Sequence, residues 1–484
     1  MTRPDKFTAL TPAGGSSSMV VMRRTLFPFA GILALVSACQ PAPRMSRATP
    51  LPTRVSEPPA RDITRELAVA TFDSVWSKVR ATYYDTTLKG LDWYAVRREL
   101  RPRAERAETR VALRAVLTEM LSRLGDSHMS VLPREFVAPS PNDSDSDAAP
   151  GGVGVETRIL ANRLVVFRVD PRGPAALAGV RGGWTVDSVD GTRADSAIAE
   201  LARVRNPKLR RTLFVHLTAR LQHRFEGPAK SLVRASFRDE RGVPRHLTIE
   251  RAPLEGQAVK LGHMPTLVAH ASSRRLPGTT TCVGVLRFNY WLLPVMPTLT
   301  KAMQSFEECE GVIVDLRGNV GGLAAMLSGV SGFMVDTAAS LALVTARGQE
   351  IRYDVFPRRA DAQGRRVKPY SGPIAILIDP LTVSTSEVFA AGMRQVTRGR
   401  TRVFGERSAG QALPALVSKL PTGDALMHAV GDLRLADGSR IEGAGVRPDV
   451  EIPLRASDLQ AGRDAPLDAA LRWIADWNRA AAGA

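Results

Sequence analysis

The chain has 484 residues, of which 44% are hydrophobic and 24% are charged, a composition that predicts a globular protein with several domains. Its formal net charge is +18, but only 6% of its residues are aromatic. The arginines are dispersed and form no basic stripe interleaved with aromatic residues, which argues against a nucleic-acid partner. We therefore interpret the positive charge as a charged, solvated surface.

Residues 1–39 have the pattern of an export signal. Arg23 and Arg24 precede the apolar segment 25–36, and small residues lead to Cys39, in a stretch too short to span a bilayer. Small residues directly before a cysteine resemble the lipobox of bacterial lipoproteins, which implies a lipid on Cys39. The alternative is an ordinary cleavage site with an incidental cysteine. The sequence thus predicts an exported lipoprotein on the periplasmic side of a bacterial membrane. By the same resemblance, the glutamine that follows Cys39 favours the outer membrane over the inner one.

Two segments of different character follow the signal. Residues 40–63 are rich in Pro, Ser and Arg, which predicts a disordered tether. Between 64 and 138 apolar residues recur at three- and four-residue spacing, which predicts an N-terminal helical domain. Its last predicted helix ends at Gly125, a residue type common at helix ends. That glycine belongs to the segment LGDSHMS (124–130).

Residues 151–253 contain short strands and turns. A Gly-led strand, a second strand and a short helix before a third strand resemble a PDZ domain of the kind associated with bacterial proteases. The resemblance implies a loop whose N–H groups bind the C-terminal carboxylate of a peptide, and a strand edge that pairs with the peptide. The loop would consist of Gly152, Val153, Gly154 and Val155. A β-rich spacer is the alternative, and the stretch 200–235 departs from the PDZ pattern as an insertion would.

Residues 254–484 are predicted to form an α/β core. Apolar strands alternate with helical segments between 281 and 453, which predicts a mixed sheet covered by helices. The predicted fold class is therefore multidomain α/β. Cys282 and Cys309 each lie ahead of an apolar strand, and we hypothesise a disulfide between them. The sequence contains no CxxC, no HExxH and no phosphate-binding glycine loop, so neither a metal nor an organic cofactor is predicted.

Two turns in this core have the composition of a catalytic site. The Ser/Thr-rich segment LTVSTSEV (381–388) and the Gly-rich segment DLRGNVGG (315–322) each follow an apolar strand. Such turns can place a hydroxyl nucleophile beside exposed backbone N–H groups, as acyl transfer requires. Together with VFGERSAGQ (403–411) and DGSRIEGAGVRPDVEI (437–452), they resemble the carboxyl-terminal processing (tail-specific) protease family of serine peptidases.

The resemblance implies roles for residues of both turns. Ser384 would be the nucleophile, with Ser386 as a helix N-cap or, alternatively, as the nucleophile itself. The oxyanion hole would come from the N–H groups of Thr385 and of Gly321 or Gly322. Asp315 and Arg317 are interpreted as a structural pair at the end of a strand.

The general base departs from the processing-protease pattern. Gln411 stands where that branch has its lysine, and a neutral amide cannot accept the proton of the serine. The segment 124–130 resembles instead the Ser-His element of the tricorn-type branch, which implies His128 as general base and Ser127 as helper. Glu442 would orient or polarise this network, with Asp126 as a weaker alternative. His428 and Lys419 remain rival bases, although the alternation of the strand around His428 suggests a solvent-facing side chain.

The sequence therefore predicts a serine endopeptidase that hydrolyses extended or unfolded polypeptides through an acyl-enzyme on Ser384. Its predicted partners are polypeptide substrates, and its membrane contact is the lipid on Cys39. The alternative is an inactive peptide-binding pseudo-peptidase.

Overall fold

The N-terminal helices begin at side-chain caps and bury one apolar face. A computed structural model describes residues 62–134, 149–264, 266–361 and 363–483. The first three helices are α1 (Arg65–Thr82), α2 (Trp93–Glu105) and α3 (Arg110–Ser122). Each starts after a Thr or Asp whose side chain accepts a hydrogen bond from a backbone N–H of the first turn, as strong N-caps do. Strand β1 (Ser130–Leu132) follows.

The β-rich region, residues 149–254, contains three helices and nine strands among its described residues. The strands are β2 (Pro150–Gly152), β3 (Val155–Leu160), β4 (Arg163–Val169), β5 (Thr185–Val189), β6 (Thr192–Arg193), β7 (Glu226–Pro228), β8 (Leu232–Arg238), β9 (Pro244–Glu250) and β10 (Ala252–Pro253). The helices are α4 (Pro174–Leu177), α5 (Ala194–Ala202) and α6 (Pro207–His223). The main sheet has the order β3-β4-β5-β8-β9, which leaves β3 at an edge. The stretch 200–235 that departs from the PDZ pattern includes α6.

The α/β core begins after this region. Its strands are β11 (Gln257–Val259), β12 (Leu267–Ala269), β13 (Ala271–Pro277), β14 (Cys282–Phe288), β15 (Gly311–Asp315), β16 (Ala339–Ala346), β17 (Gln349–Val355), β18 (Ile374–Ile378), β19 (Thr401–Gly405), β20 (Ala415–Lys419), β21 (Ala425–Ala429), β22 (Asp432–Leu435) and β23 (Val450–Glu451). Its helices are α7 (Met296–Ser305), α8 (Met326–Ser331), α9 (Thr385–Val396), α10 (Ala456–Gln460) and α11 (Ala465–Ala482).

A six-stranded sheet of order β13-β14-β15-β18-β19-β23 positions the two catalytic turns. The pairs from β14 to β23 are all parallel, so the carboxyl ends of β15 and β18 lie side by side. Helices cover the sheet, because both of its faces are apolar, and parallel sheets require cover on both faces. The mixed α/β fold class is therefore confirmed. A disulfide joins Cys282 to Cys309; Cys282 is the first residue of β14 rather than a residue ahead of the strand.

Ion pairs connect the β-rich region to the carboxyl edge of this sheet. Arg158 Nε lies 2.7 Å from Asp379 Oδ2, and Arg168 Nη2 lies 2.5 Å from Asp315 Oδ2. Asp315 also binds Arg317 Nε at 2.8 Å, as expected for a structural pair. All of these charged groups except Arg168 are buried, so their pairing is needed to offset desolvation.

The N-terminal helical segment is joined to the core by strand pairing. Strand β1 pairs antiparallel with β21, with Ser130 opposite Met427. Arg114 of α3 adds a two-pronged ion pair to Asp424, with Nε–Oδ2 and Nη2–Oδ1 distances of 3.1 and 2.7 Å. The residues just after Gly125 are therefore held against the C-terminal half of the chain.

Several predictions fall outside the described residues. The export signal, Cys39 and nearly all of the tether 40–63 belong to residues 1–61, which the structure does not describe. In the part of the chain that it does describe, no helix combines the length and the hydrophobicity needed to cross a membrane.

Candidate active site

Ser384 lies in a strained turn between β18 and α9. Its backbone has φ 58° and ψ −122°, a region that non-glycine residues occupy at a cost of about 1–3 kcal/mol. The turn is held by hydrogen bonds from the Ser384 N–H to the carbonyl of Gln411 at 2.9 Å and to Glu387 Oε2 at 3.0 Å. Ser384 itself, and not Ser386, is the N-cap residue of α9. The strain presents the Ser384 side chain on a rigid support.

Glu387 ties the nucleophile turn to the segment 408–411. Its fully buried carboxyl group accepts hydrogen bonds from Ser384 N–H, Ser408 Oγ, Gly410 N–H and Gln411 N–H, at donor–acceptor distances of 3.0, 2.6, 2.7 and 3.0 Å. Burial raises the pKa of Glu387 to about 7, against the effect of these four bonds. The group therefore fixes the geometry around the nucleophile.

The Gly-rich turn lies directly against Ser384. A Cβ atom on Gly321 would lie 2.7 Å from Ser384 Cβ, and Gly321 has φ +90°, so this position requires glycine. The N–H of Gly321 donates to Asn319 Oδ1 at 3.0 Å, whereas no hydrogen bond within the described chain uses the N–H of Gly322 or Thr385. Of the three predicted oxyanion donors, these two are free to bind a substrate oxygen.

His128 is held in one tautomer by Ser127. Ser127 Oγ lies 2.8 Å from Glu442 Oε2 and 2.8 Å from His128 Nδ1. Because the carboxylate can only accept, the hydroxyl donates to Glu442 and must accept a hydrogen bond from Nδ1–H of the histidine. The Nε2 atom of His128 is then unprotonated, as a general base requires.

Glu442 connects this pair to the nucleophile turn. Its carboxylate also accepts from Ser127 N–H at 2.9 Å and from Ala412 N–H at 3.1 Å. Ala412 follows Gln411, whose carbonyl binds the Ser384 N–H. Hydrogen bonds, together with the peptide bond between Gln411 and Ala412, thus connect His128 of the N-terminal segment to the backbone of the nucleophile turn. Among the described residues, no direct hydrogen bond joins the His128 ring to the Ser384 hydroxyl.

Two parts of the chain match family models of known proteins. Residues 282–452 match the family model of peptidase family S41, and residues 70–122 match that of the tricorn protease C1 domain. The segment that carries both turns, residues 282–452, therefore has the sequence pattern of peptidase family S41. The chain is a serine peptidase, as predicted from its turns.

Relatives from plants, algae and bacteria align with most of the chain. A C-terminal processing peptidase from the chloroplast of Tetradesmus obliquus is 26% identical over 412 residues, covering 81% of this chain and 79% of the relative. Tricorn protease homolog 1 of Streptomyces coelicolor is 24% identical over 417 residues, covering 83% of this chain but 34% of that protein. The structure of the photosystem II D1 C-terminal processing protease aligns with a TM-score of 0.52 at 22% identity, covering 84% and 97% of the two chains, which supports the fold.

The environment of His128 in this peptidase favours its neutral form. Burial and, secondarily, the nearby His216 ring lower the pKa of His128 to about 4. Its backbone has φ 57°, in the left-handed region that histidine adopts more readily than most side chains. The ring is therefore available as a proton acceptor across the neutral range.

The two rival bases lie in different environments. His428 is 2% exposed, which corrects the expectation of a solvent-facing side chain, and its Nε2 lies 2.7 Å from Thr82 Oγ1. Because that hydroxyl donates to the carbonyl of Lys78 at 2.8 Å, His428 must donate from Nε2. Lys419 is exposed at the end of β20. Among the residues that the structure describes, no hydrogen bond connects either rival to Ser384.

Asp126 and Ser386 also have other partners. Asp126 accepts hydrogen bonds from the hydroxyls of Tyr83 and Tyr84 and from Lys89. Ser386 is fully buried and its hydroxyl accepts from Trp291 Nε1 at 2.8 Å. These bonds assign structural roles to both side chains.

The edge predicted to pair with a peptide is partly occupied by the protein itself. In the predicted loop, the carbonyls of Val153 and Gly154 accept from Ala175 N–H and Asp170 N–H, both bonds internal to the β-rich region. On β3, Thr157 N–H donates to Gln222 Oε1 at 2.9 Å, and Gln222 Nε2 donates to the carbonyl of Val155 at 2.9 Å. One side chain of α6 therefore satisfies two backbone groups of the edge strand, whereas Gly152 pairs within the small sheet of β2.

Sequence reasoning missed two contributions to the site. The first is the number of hydrogen bonds at Glu387, although a Glu three residues after a Ser at a helix start is a capping signal. The second is the contact of α6 with the catalytic loops, for which the sequence has no signal beyond the departure of 200–235 from the PDZ pattern.

Proposed function

We propose that this chain is an exported endopeptidase that cleaves extended polypeptides through an acyl-enzyme on Ser384, with His128 as the general base. The observation that carries the proposal is the hydrogen-bonded series from His128 through Ser127 and Glu442 to the backbone beside Ser384. Gln411 occupies the place of a lysine base, so the series supplies the proton acceptor that this position lacks.

In this mechanism His128 Nε2 takes the proton of the Ser384 hydroxyl while Oγ attacks the scissile carbonyl carbon. The negative charge that develops on the carbonyl oxygen is stabilised by the N–H groups of Gly322 and Thr385. The protonated His128 then donates to the leaving amine as the C–N bond breaks. The neutral ring then takes a proton from a water molecule as that water attacks the ester carbonyl carbon, and it returns the proton to Ser384 Oγ as the C–Oγ bond breaks.

Ser127 and Glu442 orient the base in this scheme. They keep Nδ1 protonated, and the carboxylate stabilises the imidazolium that forms in each half-reaction. Their role is therefore to hold the tautomer and to favour the transient positive charge.

The substrate and the location form part of the proposal. Relatives are named carboxyl-terminal-processing peptidases, which supports a polypeptide whose C-terminal part is extended and accessible. The signal-like residues 1–39 support export, with Cys39 as the lipid-bearing residue. The loop Gly152–Val155 would take part in peptide binding once the β3 edge is available.

The test uses protein lacking residues 1–39 and an unfolded polypeptide substrate. The parent should cleave it, Ser384→Ala should be inactive, and a fluorophosphonate should label the parent at Ser384 alone. His128→Ala should lose activity, whereas His428→Ala should retain it. Full cleavage by Ser384→Ala, or the absence of labelling, would refute the proposal.

A further inference from the structure

Helix α6 spans the distance between the catalytic loops and the edge of the β-rich sheet. It begins after Asn206, whose side chain accepts from the first two free N–H groups of the helix, and ends at His223. Leu217 and Leu221 pack into the core of the β-rich region. The helix is therefore a rigid part of that region, and both of its ends contact functional elements.

The first turn of α6 binds the loops that carry the base and its carboxylate. Lys208 Nζ donates to the carbonyl of Gly125, two residues before Ser127. Arg211 Nη2 donates to the carbonyl of Gly443, the residue after Glu442. The Lys208 stem also lies over Gly443, where a Cβ atom would come within 3.3 Å of Lys208 Cε.

A further contact follows one turn later on the same face. Val215 is buried in an apolar cluster with Leu381, Val383 and Ala409. Leu381 and Val383 belong to the nucleophile turn, and Ala409 belongs to the segment that Glu387 binds. Lys208, Arg211 and Val215 are spaced by three and four residues, so they share one helix face, and that face contacts all three parts of the site.

At the other end of α6, Gln222 has the pairing of a residue in an added strand. In a strand, the carbonyl of one residue and the N–H two residues later point to the same side, and a parallel neighbouring strand binds both through one residue. Gln222 binds Val155 and Thr157 in this way. An extended peptide that adds to β3 would use the same two groups.

We propose that α6 is a positioning helix for the catalytic base, and that its far end occupies the site where an extended peptide with a free carboxylate adds to β3. The inference rests on the proposed function of His128 and Ser384. A peptide at β3 displaces Gln222, and α6 then holds Gly125 and Gly443 less firmly. Peptide binding at the edge and the geometry of the base are thereby coupled through one helix.

The first experiment tests the positioning role. Lys208→Met and Arg211→Met should each lower kcat by about tenfold with KM nearly unchanged, because misplacing a catalytic group affects the chemical step. Both variants should also raise the pH of the acid limb of kcat, since a less enclosed His128 has a pKa nearer its usual value. Lys208→Arg should restore most of the activity. Arg210→Met, an exposed position of the same helix, is the matched control and should behave as the parent.

The second experiment tests the coupling. Gln222→Ala should lower kcat by about threefold and, in the Ser384→Ala background, should bind a fluorescent C-terminal peptide at least about fivefold more tightly, because the peptide no longer competes with a bound side chain. Saturating peptide should lower the kcat of the parent toward that of Gln222→Ala. Simple competition at the active site would raise KM and leave kcat unchanged.

Each outcome decides one claim. If Ser384→Ala retains activity, the proposed function and this inference both fail. If Ser384→Ala is inactive but the Lys208, Arg211 and Gln222 variants have the kcat of the parent, only the inference fails. A peptide that binds parent and Gln222→Ala equally, or that leaves the kcat of the parent unchanged, refutes the coupling.

Discussion

Replacing Glu442 by Gln should disable the base without removing any atom that touches substrate. The carboxylate accepts three hydrogen bonds, two from Ser127 and one from Ala412 N–H. A carboxamide has one oxygen and one NH2 group, so one of the two oxygen positions becomes a donor. Neither orientation of the amide can satisfy all three donors.

The two orientations fail for different reasons. With NH2 in the place of Oε1, it faces the N–H of Ser127, and two donors oppose each other. With NH2 in the place of Oε2, it opposes Ala412 N–H and donates to Ser127 Oγ. That hydroxyl would then donate to His128 Nδ1, which leaves the proton of the ring on Nε2, the wrong tautomer for a base.

The expected loss of kcat/KM can be estimated from these hydrogen bonds. Loss of one charge-assisted hydrogen bond, together with a buried N–H left without a partner, amounts to about 3 kcal/mol. If that cost falls on the transition state, kcat/KM drops by about 100-fold. Part of the cost will also appear in the free energy of unfolding, because Ser127 and Glu442 are both buried.

The assay compares kcat/KM on an unfolded polypeptide with urea unfolding of the same variants. Glu350→Gln is the matched control, because that side chain is exposed on β17, and it should have the parent's values. In a double-mutant cycle, Ser127→Ala and Glu442→Gln should be strongly non-additive, since both act through one hydrogen-bonded series. A Glu442→Gln enzyme with more than about half of the parent's kcat/KM would refute the reasoning.

Three further predictions concern pH and the two turns. Because the folded-state pKa of His128 is lowered to about 4, the acid limb of kcat/KM should lie near pH 4; a limb near pH 6.5 would argue against an enclosed base. Because the folded-state pKa of Glu387 is raised to about 7, its contribution to stability is complete below about pH 4.5 and is lost as pH rises through 7. Urea unfolding at pH 5 and pH 8 should therefore show a decrease of about 3 kcal/mol from this group, which Glu387→Gln should remove; an unchanged pH dependence in the variant would contradict the assignment. Gly321→Ala should reduce kcat by about 100-fold or more, because the new Cβ would displace Ser384, whereas Gly329→Ala, with its nearest atom at 3.7 Å, should be close to the parent. Equal activity of the two glycine variants would show that the contact with Ser384 is unimportant.

The sequence predicts the parts of the fold that depend on local pattern. Alternating apolar strands and helices predict the α/β core. The two turns after β15 and β18 are recognisable because a run of Gly, Ser or Thr directly after a buried apolar strand is typical of a catalytic turn. The pairing of Asp315 with Arg317 and the disulfide between Cys282 and Cys309 also agree with the structure. In these cases the relevant partners are close in sequence or follow from adjacent strands.

Features that depend on distant packing could not be predicted in the same way. The alternation of apolar and polar residues around His428 does not reveal that α1 covers that face of β21. The His428 side chain is therefore buried, whereas the sequence predicts that it faces solvent. Likewise, no local pattern shows that Gln222 would bind the β3 edge or that Lys208 would reach Gly125. The series from His128 to Glu442 was suggested by resemblance, because the two residues lie more than 300 positions apart and no periodicity links them.

The pairing of β1 with β21 has a consequence for how the enzyme could be divided. The N-terminal segment that carries His128 is attached to the C-terminal half of the chain by two contacts, the pairing of Ser130 with Met427 and the ion pair of Arg114 with Asp424. Neither contact depends on the covalent link between residues 134 and 149. A protease cut placed in that interval would leave two fragments whose mutual affinity derives from a strand pair and a shared apolar core. The peptidase could accordingly be reconstituted from two separately produced fragments, and the recovery of catalytic activity would measure their association.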